Sequence, residues 1–346
     1  MLGVLENVDI EAVSTTVSGH RVSLEERCGH LLAQKKGARL SKSTGFHQFS
    51  SVDKGICASD LAVHSAECLF DEVKATRDDI GAVIFVSQAP DYLCPATAFL
   101  IQKKLNLSKN IIAFDVNSSC AGFVYGIFIA GSLLTTMNKK ILLCFGDVTS
   151  QKNIFYDDLT FAAILGDGGG AAIVSRCPGK KIWYSFDSYG EMSDAIIDLR
   201  GGARGYKITS PQGEVVNEKD NFCKMDGTKV MEFTLGEVPQ NIEKLLLFAE
   251  INKDKLDLAF FHQANKLIVE SLGNQLGIAM EKVPFYCQEI GNTDMASIPI
   301  CMTEMERKGI YIPYANVLMS GFGAGLSVGS MILDLTDTYV MPTLEI

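Results

Sequence analysis

The chain is poor in tryptophan, in histidine and in clustered positive charge. Its one tryptophan is Trp183, its five histidines are His20, His30, His47, His64 and His262, and 31 basic residues against 41 acidic ones give a formal net charge of −10. No basic run interrupts that acidity, which argues against a nucleic-acid face and against an anionic membrane surface as partner. The ten cysteines form no Cys-x-x-Cys pair and no cluster with histidine, so no metal site is expected. Several lie in apolar runs, as Cys144 does in Ile-Leu-Leu-Cys-Phe, where a thiol acts as a small buried hydrophobe; a reducing compartment fits. No apolar stretch reaches the roughly 20 residues of a membrane span. The longest, 121–137, is broken by glycine, serine and threonine and reads as a buried helix. Residues 1–9 carry Glu6 and Asp9 without a basic segment, so no secretory leader is expected and the chain is expected in the cytoplasm.

What is present is a soluble globule of 346 residues, 47% hydrophobic and 21% charged, longer than one ordinary domain. Its organisation shows as an internal repeat. Gly81-Ala-Val-Ile-Phe-Val-Ser-Gln88 reads as a strand, 95–107 as an amphipathic helix and Ile111-Ile-Ala-Phe-Asp-Val116 as a second strand. A small-residue turn with Cys120 leads into a long apolar helix, and Lys140-Ile-Leu-Leu-Cys-Phe-Gly146 is a third strand. The order returns in Leu256-Asp-Leu-Ala-Phe-Phe261, a helix over 265–276, Val283-Pro-Phe-Tyr-Cys287, a turn with Asn292, a helix to about 308 and Ala315-Asn-Val-Leu-Met-Ser320. Cys120 and Asn292 are offset by 172, and Val83/Leu258 and Lys140/Ala315 by 175. Apolar strands alternating with helices predict an α/β protein with parallel strands covered on both faces. The repeat predicts two similar halves, 1–177 and 178–346, divided where Cys177-Pro178-Gly179 clusters breakers. Residues 198–221 read as a polar loop near a substrate entrance.

Chemistry in such sheets gathers at the carboxyl ends of strands, and Cys120, His262 and Asn292 each follow one. Cys120, in Asp115-Val-Asn-Ser-Ser-Cys-Ala-Gly122, sits at a strand-to-helix turn, where free N–H groups and the helix dipole lower a thiol pKa. The alternative is one more buried cysteine. His262, after Phe260 and Phe261, is either a neutral hydrogen-bond donor or base, or a satisfied core histidine. The other four histidines read as non-catalytic. Asn292 is either a helix N-cap or, as the repeat partner of Cys120, an amide donor to a shared ligand. The glycine-rich run 320–329 lacks dinucleotide or P-loop spacing but can bring backbone N–H groups to a ligand. Gly166-Asp-Gly-Gly-Gly170 reads as tight packing.

Four motifs, Ser119-Cys-Ala-Gly-Phe123, His262-Gln-Ala-Asn265, Gly291-Asn-Thr293 with Ala296-Ser-Ile-Pro299, and Gly321-Phe-Gly-Ala-Gly325, occur in an order and spacing that resemble the thiolase-like condensing enzymes, most closely the β-ketoacyl-acyl-carrier-protein synthase III family. The resemblance implies the thiolase-like fold, two pseudo-twofold-related halves in five αβαβα layers. It implies that Cys120 takes an acyl primer, that the backbone N–H groups of Cys120 and Ala324 form an oxyanion hole, and that His262 and Asn292 hold the thioester carbonyl of a decarboxylating malonyl group. Thr44, Cys94, Gly323, Gly325 and Lys266 would contact substrate. Acyl-CoA or acyl carrier protein, and malonyl-acyl carrier protein, would be the partners of a homodimer. No metal or redox cofactor is implied.

The chain departs from that family at its entrance. Arg39 and Ser43 stand where the family has tryptophan and arginine before Thr44-Gly45, Leu267 and Leu159 occupy basic positions, and Ala324 replaces a glycine. Cys94 is smaller than the aromatic residue often found there. These departures imply a specialised pathway and a pocket for primers longer than acetyl. Three other readings are weighed: acyl transfer to a hydroxyl or amine, a hydroxymethylglutaryl-CoA-synthase-like reaction needing a carboxylate such as Glu67 or Asp91, and a non-enzymatic subunit.

Overall fold

The computed structural model describes residues 1–29, 34–150, 159–198 and 223–346. The long strand β1 (Leu2–Val17) is followed by β2 (Arg21–Ser23), α1 (Leu24–Cys28), α2 (Gln34–Thr44), β3 (Gln48–Ser50) and α3 (Ala58–Glu72). A first α/β unit comprises β4 (Ile80–Val86), α4 (Thr97–Lys104), β5 (Ile112–Val116), α5 (Gly122–Leu133) and β6 (Lys140–Asp147); α6 (Leu159–Ala162) and the long β7 (Gly168–Ser188) complete it. After the small pair β8 (Ile196–Asp198) and β9 (Cys223–Met225), the second unit runs through α7 (Gly227–Phe248), β10 (Leu258–Phe261), α8 (Lys266–Leu276), α9 (Ser297–Arg307), β11 (Val317–Gly323) and β12 (Ser327–Leu333). The short β13 (Tyr339–Val340) and β14 (Leu344–Glu345) lie against β1.

The strand order β10-β11-β12-β7-β6-β4-β5 repeats one arrangement twice. In one unit β4 and β6 are parallel and β7 returns antiparallel; in the other β10 and β11 are parallel and β12 returns antiparallel. The sheet is therefore mixed, where apolar continuity alone predicted parallel pairing. The boundary expected at 177/178 lies inside β7, which pairs with β6 through its first residues and with β12 through its last. Cys177, Pro178 and Gly179 make a bulge there, because the register with β1 jumps from Glu6–Lys181 to Val8–Arg176, and the Gly179 N–H donates to Asn7 Oδ1 at 2.9 Å. A bulge absorbs breakers that would otherwise end a strand.

Alternation along the strands sorts the core into layers. Ala82, Ile84 and Val86 of β4 and Val317 and Met319 of β11 join a central cluster with Phe123 and Ile127 of α5 and Ile298 and Met302 of α9. The opposite faces, Val83 and Phe85 with α3 and α4, and Leu318 and Phe322 with α7 and α8, form two outer clusters. Three helical layers thus enclose two strand layers, the αβαβα order. Each fully buried Phe, Leu or Ile contributes roughly 1.5–3 kcal/mol through area removed from water.

Two stretches differ from the sequence reading. Residues 283–287 are no strand: Pro284 has no N–H for a ladder, and its carbonyl instead receives Gln263 Nε2 at 3.3 Å. The run 320–329 is not a free loop but the hairpin joining β11 to β12. Residues 199–222, and with them almost all of the expected entrance loop, lie outside the described residues, as does His30. Among the described residues no helix is long and apolar enough to cross a membrane.

Candidate active site

Cys120 lies in the turn between β5 and α5, two residues before the helix begins. The turn closes with the Gly122 N–H donating to Ser119 O at 2.6 Å. Glycine recurs along α5 because the helix rides directly on the strands: a Cβ at Gly122 would fall 2.7 Å from Val86 Cγ1, and one at Gly126 2.7 Å from Leu143 Cδ1. Helical glycine costs up to about 1 kcal/mol against alanine, which close packing offsets here. From the other side the end of β11 crosses the thiol. A Cβ at Gly323 would lie 2.8 Å from Cys120 Cβ and 2.9 Å from Sγ, so only glycine lets that backbone pass. Ala324, next in the turn, is not among the non-glycine residues with positive φ (Asn7, Asn106, Glu250 and Asp294), so its Cβ meets no backbone penalty.

The thiol does not have the lowered pKa expected from its place before a helix. Cys120 is only 9% exposed, and burial first, then the neighbouring Asp294 carboxylate, push it well above the ordinary thiol range. Its hydrogen-bond partner Ser119 Oγ, at 3.3 Å, works in the opposite direction but is outweighed. Desolvation thus defeats the helix dipole at this position, and the resting group is a thiol.

His262 ends the fully buried Phe260-Phe261 run of β10, and its N–H continues that ladder by donating to Ser320 O at 2.8 Å. Burial lowers its pKa to about 3, against a weaker upward pull from a hydrogen bond with the Asp294 backbone, so the imidazole is neutral. Nδ1 lies 2.7 Å from Ser297 Oγ, which also accepts the Gln263 N–H at 3.2 Å. Asn265 of the same motif is the N-cap of α8, its Oδ1 accepting the Ile268 N–H at 2.9 Å.

Asn292 is not a helix cap. Its backbone bridges Leu165: the Asn292 N–H donates to Ile164 O at 2.7 Å, and Gly166 N–H donates to Asn292 O at 2.8 Å. The segment at 166–170 therefore packs, and Asp167 accepts backbone N–H groups of Val52 and Thr149. Asn292 Oδ1 accepts the Asp294 N–H at 2.9 Å, which leaves the Nδ2 hydrogens for another partner. Asp294 then ties the site together, with Oδ1 3.5 Å from Cys120 Sγ, its N–H on Asn292 and its backbone on His262. The three residues singled out in the sequence converge through a fourth that was not. Sequence reasoning gives Asp294 no role and names Ser297 only inside the motif Ala296-Ser-Ile-Pro299; the one signal at Asp294 is an acid set directly before the mainly apolar run Met295-Ala-Ser-Ile-Pro-Ile300.

The remaining expected contacts are spread out. Thr44 is buried, and its Oγ1 donates to Leu40 O at 3.0 Å. Gly45 packs on Lys266, whose Cβ would lie 2.5 Å from an added Cβ, so the end of α2 meets the start of α8. Lys266 is half exposed and pairs with Glu270 at 3.7 Å, while Leu267 is 49% exposed beside it. Arg39 and Ser43 are exposed on α2, Leu159 is half-buried at the start of α6, and Gly325 is exposed in the β11–β12 turn. Cys94 lies on an exposed segment with Tyr92 and Leu93, whereas Cys120 is buried. Neither carboxylate considered from the sequence serves Cys120: Glu67 faces solvent on α3, and Asp91 accepts Ser59 Oγ at 2.7 Å. His20 and His47 are exposed, and His64 Nδ1 meets Thr16 Oγ1 at 3.1 Å. Among the described residues no group of three or more His, Cys, Asp or Glu is placed to hold a metal.

Residues 114–190 match the family described as 3-oxoacyl-[acyl-carrier-protein] synthase III, and residues 246–335 match its C-terminal part. A β-ketoacyl-[acyl-carrier-protein] synthase III of Natranaerobius thermophilus is 30% identical over 305 residues, covering 85% of this chain and 89% of the relative. The chain belongs to the β-ketoacyl-acyl-carrier-protein synthase III family. A synthase III of Streptococcus agalactiae is 31% identical over 299 residues, with coverage of 86% and 90%. The crystal structure of a 3-oxoacyl-(acyl-carrier protein) synthase from Burkholderia xenovorans LB400 aligns with a TM-score of 0.92 at 28% identity, covering 100% of this chain and 99% of that one. The fold is thus the thiolase-like fold, and the chain is a synthase III-type condensing enzyme.

Proposed function

We propose that this synthase III relative loads an acyl primer on Cys120 and condenses it with a malonyl thioester, releasing carbon dioxide and a β-ketoacyl thioester. The observation that carries this reading is the convergence of Cys120, His262 and Asn292 on Asp294. Cys120 Sγ attacks the primer thioester, and the oxyanion forms against the backbone N–H groups of Cys120 and Ala324. The malonyl thioester then enters. A neutral His262 and the free Nδ2 of Asn292 donate to its carbonyl oxygen as the bond to the carboxylate carbon breaks, carbon dioxide departs and the electron pair left behind forms an enolate. The enolate carbon attacks the acyl group, Sγ departs and the product is released. Both substrates bring their own thioesters, so the sequence of steps calls for no resident cofactor.

In class terms the enzyme is an acyltransferase. Its primer arrives on coenzyme A or acyl carrier protein and its extender on malonyl-acyl carrier protein. The meeting of α2 and α8 at Gly45 and Lys266 supports an entrance there. The replaced entrance residues Arg39, Ser43, Leu159 and Leu267 support a specialised pathway. A homodimer is supported by the sheet edge β5 and by exposed Tyr92, Leu93, Phe99 and Ile112. Cys94 of that surface would enter the neighbouring copy's acyl pocket, where its small size favours hexanoyl to decanoyl primers. The test is release of labelled carbon dioxide from malonyl-acyl carrier protein carrying label in its free carboxyl, with acetyl and hexanoyl to decanoyl primers compared. Release that depends on primer and is faster with the longer chains is expected. Acyl transfer without release would refute condensation, and equal or better turnover with acetyl would refute the enlarged pocket.

A further inference from the structure

We propose that Asp294 is a further catalytic residue, whose carboxylate takes the proton from Cys120 Sγ as the thiol attacks the primer and returns it to the departing thiolate. The inference deepens the proposed function and rests on it. Its first ground is contact: Cys120 Sγ donates to Asp294 Oδ1 across 3.5 Å, both groups being buried. The second is aim. Asp294 stands at φ +52, a left-handed conformation that only glycine, asparagine and aspartate adopt with ease, and its N–H is held by Asn292 Oδ1 at 2.9 Å. The next residue, Met295, is wedged against Gly122 at the start of α5. The turn thereby points a carboxyl group at the thiol instead of at solvent.

The third ground is need. A thiol that stays protonated at rest must lose its proton during attack, and an acceptor already in contact removes the requirement for prior ionisation. Among the described residues the other hydrogen-bond neighbour of Sγ is the Ser119 hydroxyl, which is no base near neutrality. His262 presents Nδ1 to Ser297, away from that task.

The step balances. The S–H bond breaks and its proton passes to Asp294 Oδ1, while the sulfur pair forms the bond to the primer carbonyl carbon. Collapse of the oxyanion breaks the carbon–sulfur bond to coenzyme A or phosphopantetheine. The leaving thiolate takes the proton from Asp294, which returns to carboxylate as a free thiol departs.

A carboxylate that merely sits beside the thiol would act in the opposite sense, holding Cys120 protonated and slowing it. The two roles therefore differ in sign. The experiment uses Asp294→Asn, which suits the same φ and keeps the N–H, in the full-length protein. Cys120 acylation by acetyl-CoA and by octanoyl-CoA is followed by intact mass across a range from about pH 6 to about pH 10, with iodoacetamide alkylation of Cys120 measured in parallel. Asp294→Asn is expected to slow acylation by about 10²-fold at about pH 7, and its rate then to climb about tenfold per pH unit as the thiol ionises unaided, whereas the natural enzyme varies little. Acylation of the variant as fast as, or faster than, the natural protein overturns the proposal. If Asp294→Asn does not fold by circular dichroism, Asp294→Gly, which accepts the same φ, is read by the same criterion. If the natural protein loads an acyl group neither from acyl-CoA nor from acyl carrier protein, the functional reading fails separately. Alkylation then decides Asp294: slower in the variant near neutrality supports proton acceptance, equal or faster refutes it.

Discussion

His262 Nδ1 lies 2.7 Å from Ser297 Oγ, a hydroxyl that also receives the Gln263 backbone N–H. With that N–H occupying an oxygen lone pair, the serine hydrogen is available to Nδ1, and the imidazole proton is then expected on Nε2. Ser297→Ala should slow condensation by about 10-fold to 10²-fold while leaving primer loading near normal, because the donor to the malonyl carbonyl loses its orientation. It should also cost about 1–3 kcal/mol of stability, since the buried Gln263 N–H loses its acceptor. Nitrogen NMR of the imidazole checks the tautomer directly; a proton on Nδ1 in the natural protein would contradict the assignment.

Burial of His262 makes stability depend on acidity with a definite sign. Its folded pKa, lowered to about 3, lies below the ordinary histidine value of 6.5, so the unfolded chain binds the proton first as pH falls. The stabilisation is complete above the unfolded value and declines as pH drops from there toward 3. Between neutrality and about pH 5 the loss from this group is roughly 2 kcal/mol. Urea unfolding of the natural protein and of His262→Asn at both acidities should differ by that amount in their pH dependence, with the variant the flatter.

Asn292 makes two distinct uses of one amide. Its Oδ1 anchors Asp294 and its Nδ2 is the proposed donor. Asn292→Ala should reduce condensation by about 10²-fold to 10³-fold, the typical effect of losing one oxyanion donor. Loading should fall less, through the unanchored Asp294 alone. Separate assays of acylation and of carbon dioxide release give the ratio, and an equal loss in both steps would place Asn292 in a purely structural role.

Gly323→Ala tests the crossing of β11 over the thiol. A methyl group there would overlap Cys120 Cβ and Sγ at 2.8 and 2.9 Å. Overpacking of a buried site costs about 1–3 kcal/mol. Acylation should be abolished while circular dichroism retains the fold. A variant that loads primer normally would show that the thiol is not confined by this backbone.

The repeat was legible because β4, β6, β10 and β11 are buried on both faces and so read as unbroken apolar runs. His262 was legible because it interrupts such a run at its carboxyl end, Cys120 because it stands at a strand-to-helix turn after the half-buried β5, and Asn292 because the repeat sets it opposite Cys120. What failed to show depended on tertiary placement. Residues 283–287 have strand-like composition, yet Pro284 cannot enter a ladder and the segment serves as an acceptor for Gln263. The bulge at Cys177-Pro178-Gly179 resembles a linker until β1 supplies Asn7 opposite it. The lowered thiol pKa followed from helix position alone, but burial and a carboxylate 174 residues away reverse it. That carboxylate, Asp294, owes its direction to a left-handed backbone that composition does not reveal.

The most direct measurement is intact-mass analysis of the natural protein and of Cys120→Ala after incubation with a panel of acyl-CoA and acyl-carrier-protein thioesters. A single acyl increment on the natural protein, absent from Cys120→Ala and discharged by malonyl-acyl carrier protein, is the expected result. An increment that survives removal of that sulfur, or none from any thioester in the panel, would contradict the proposed role of Cys120.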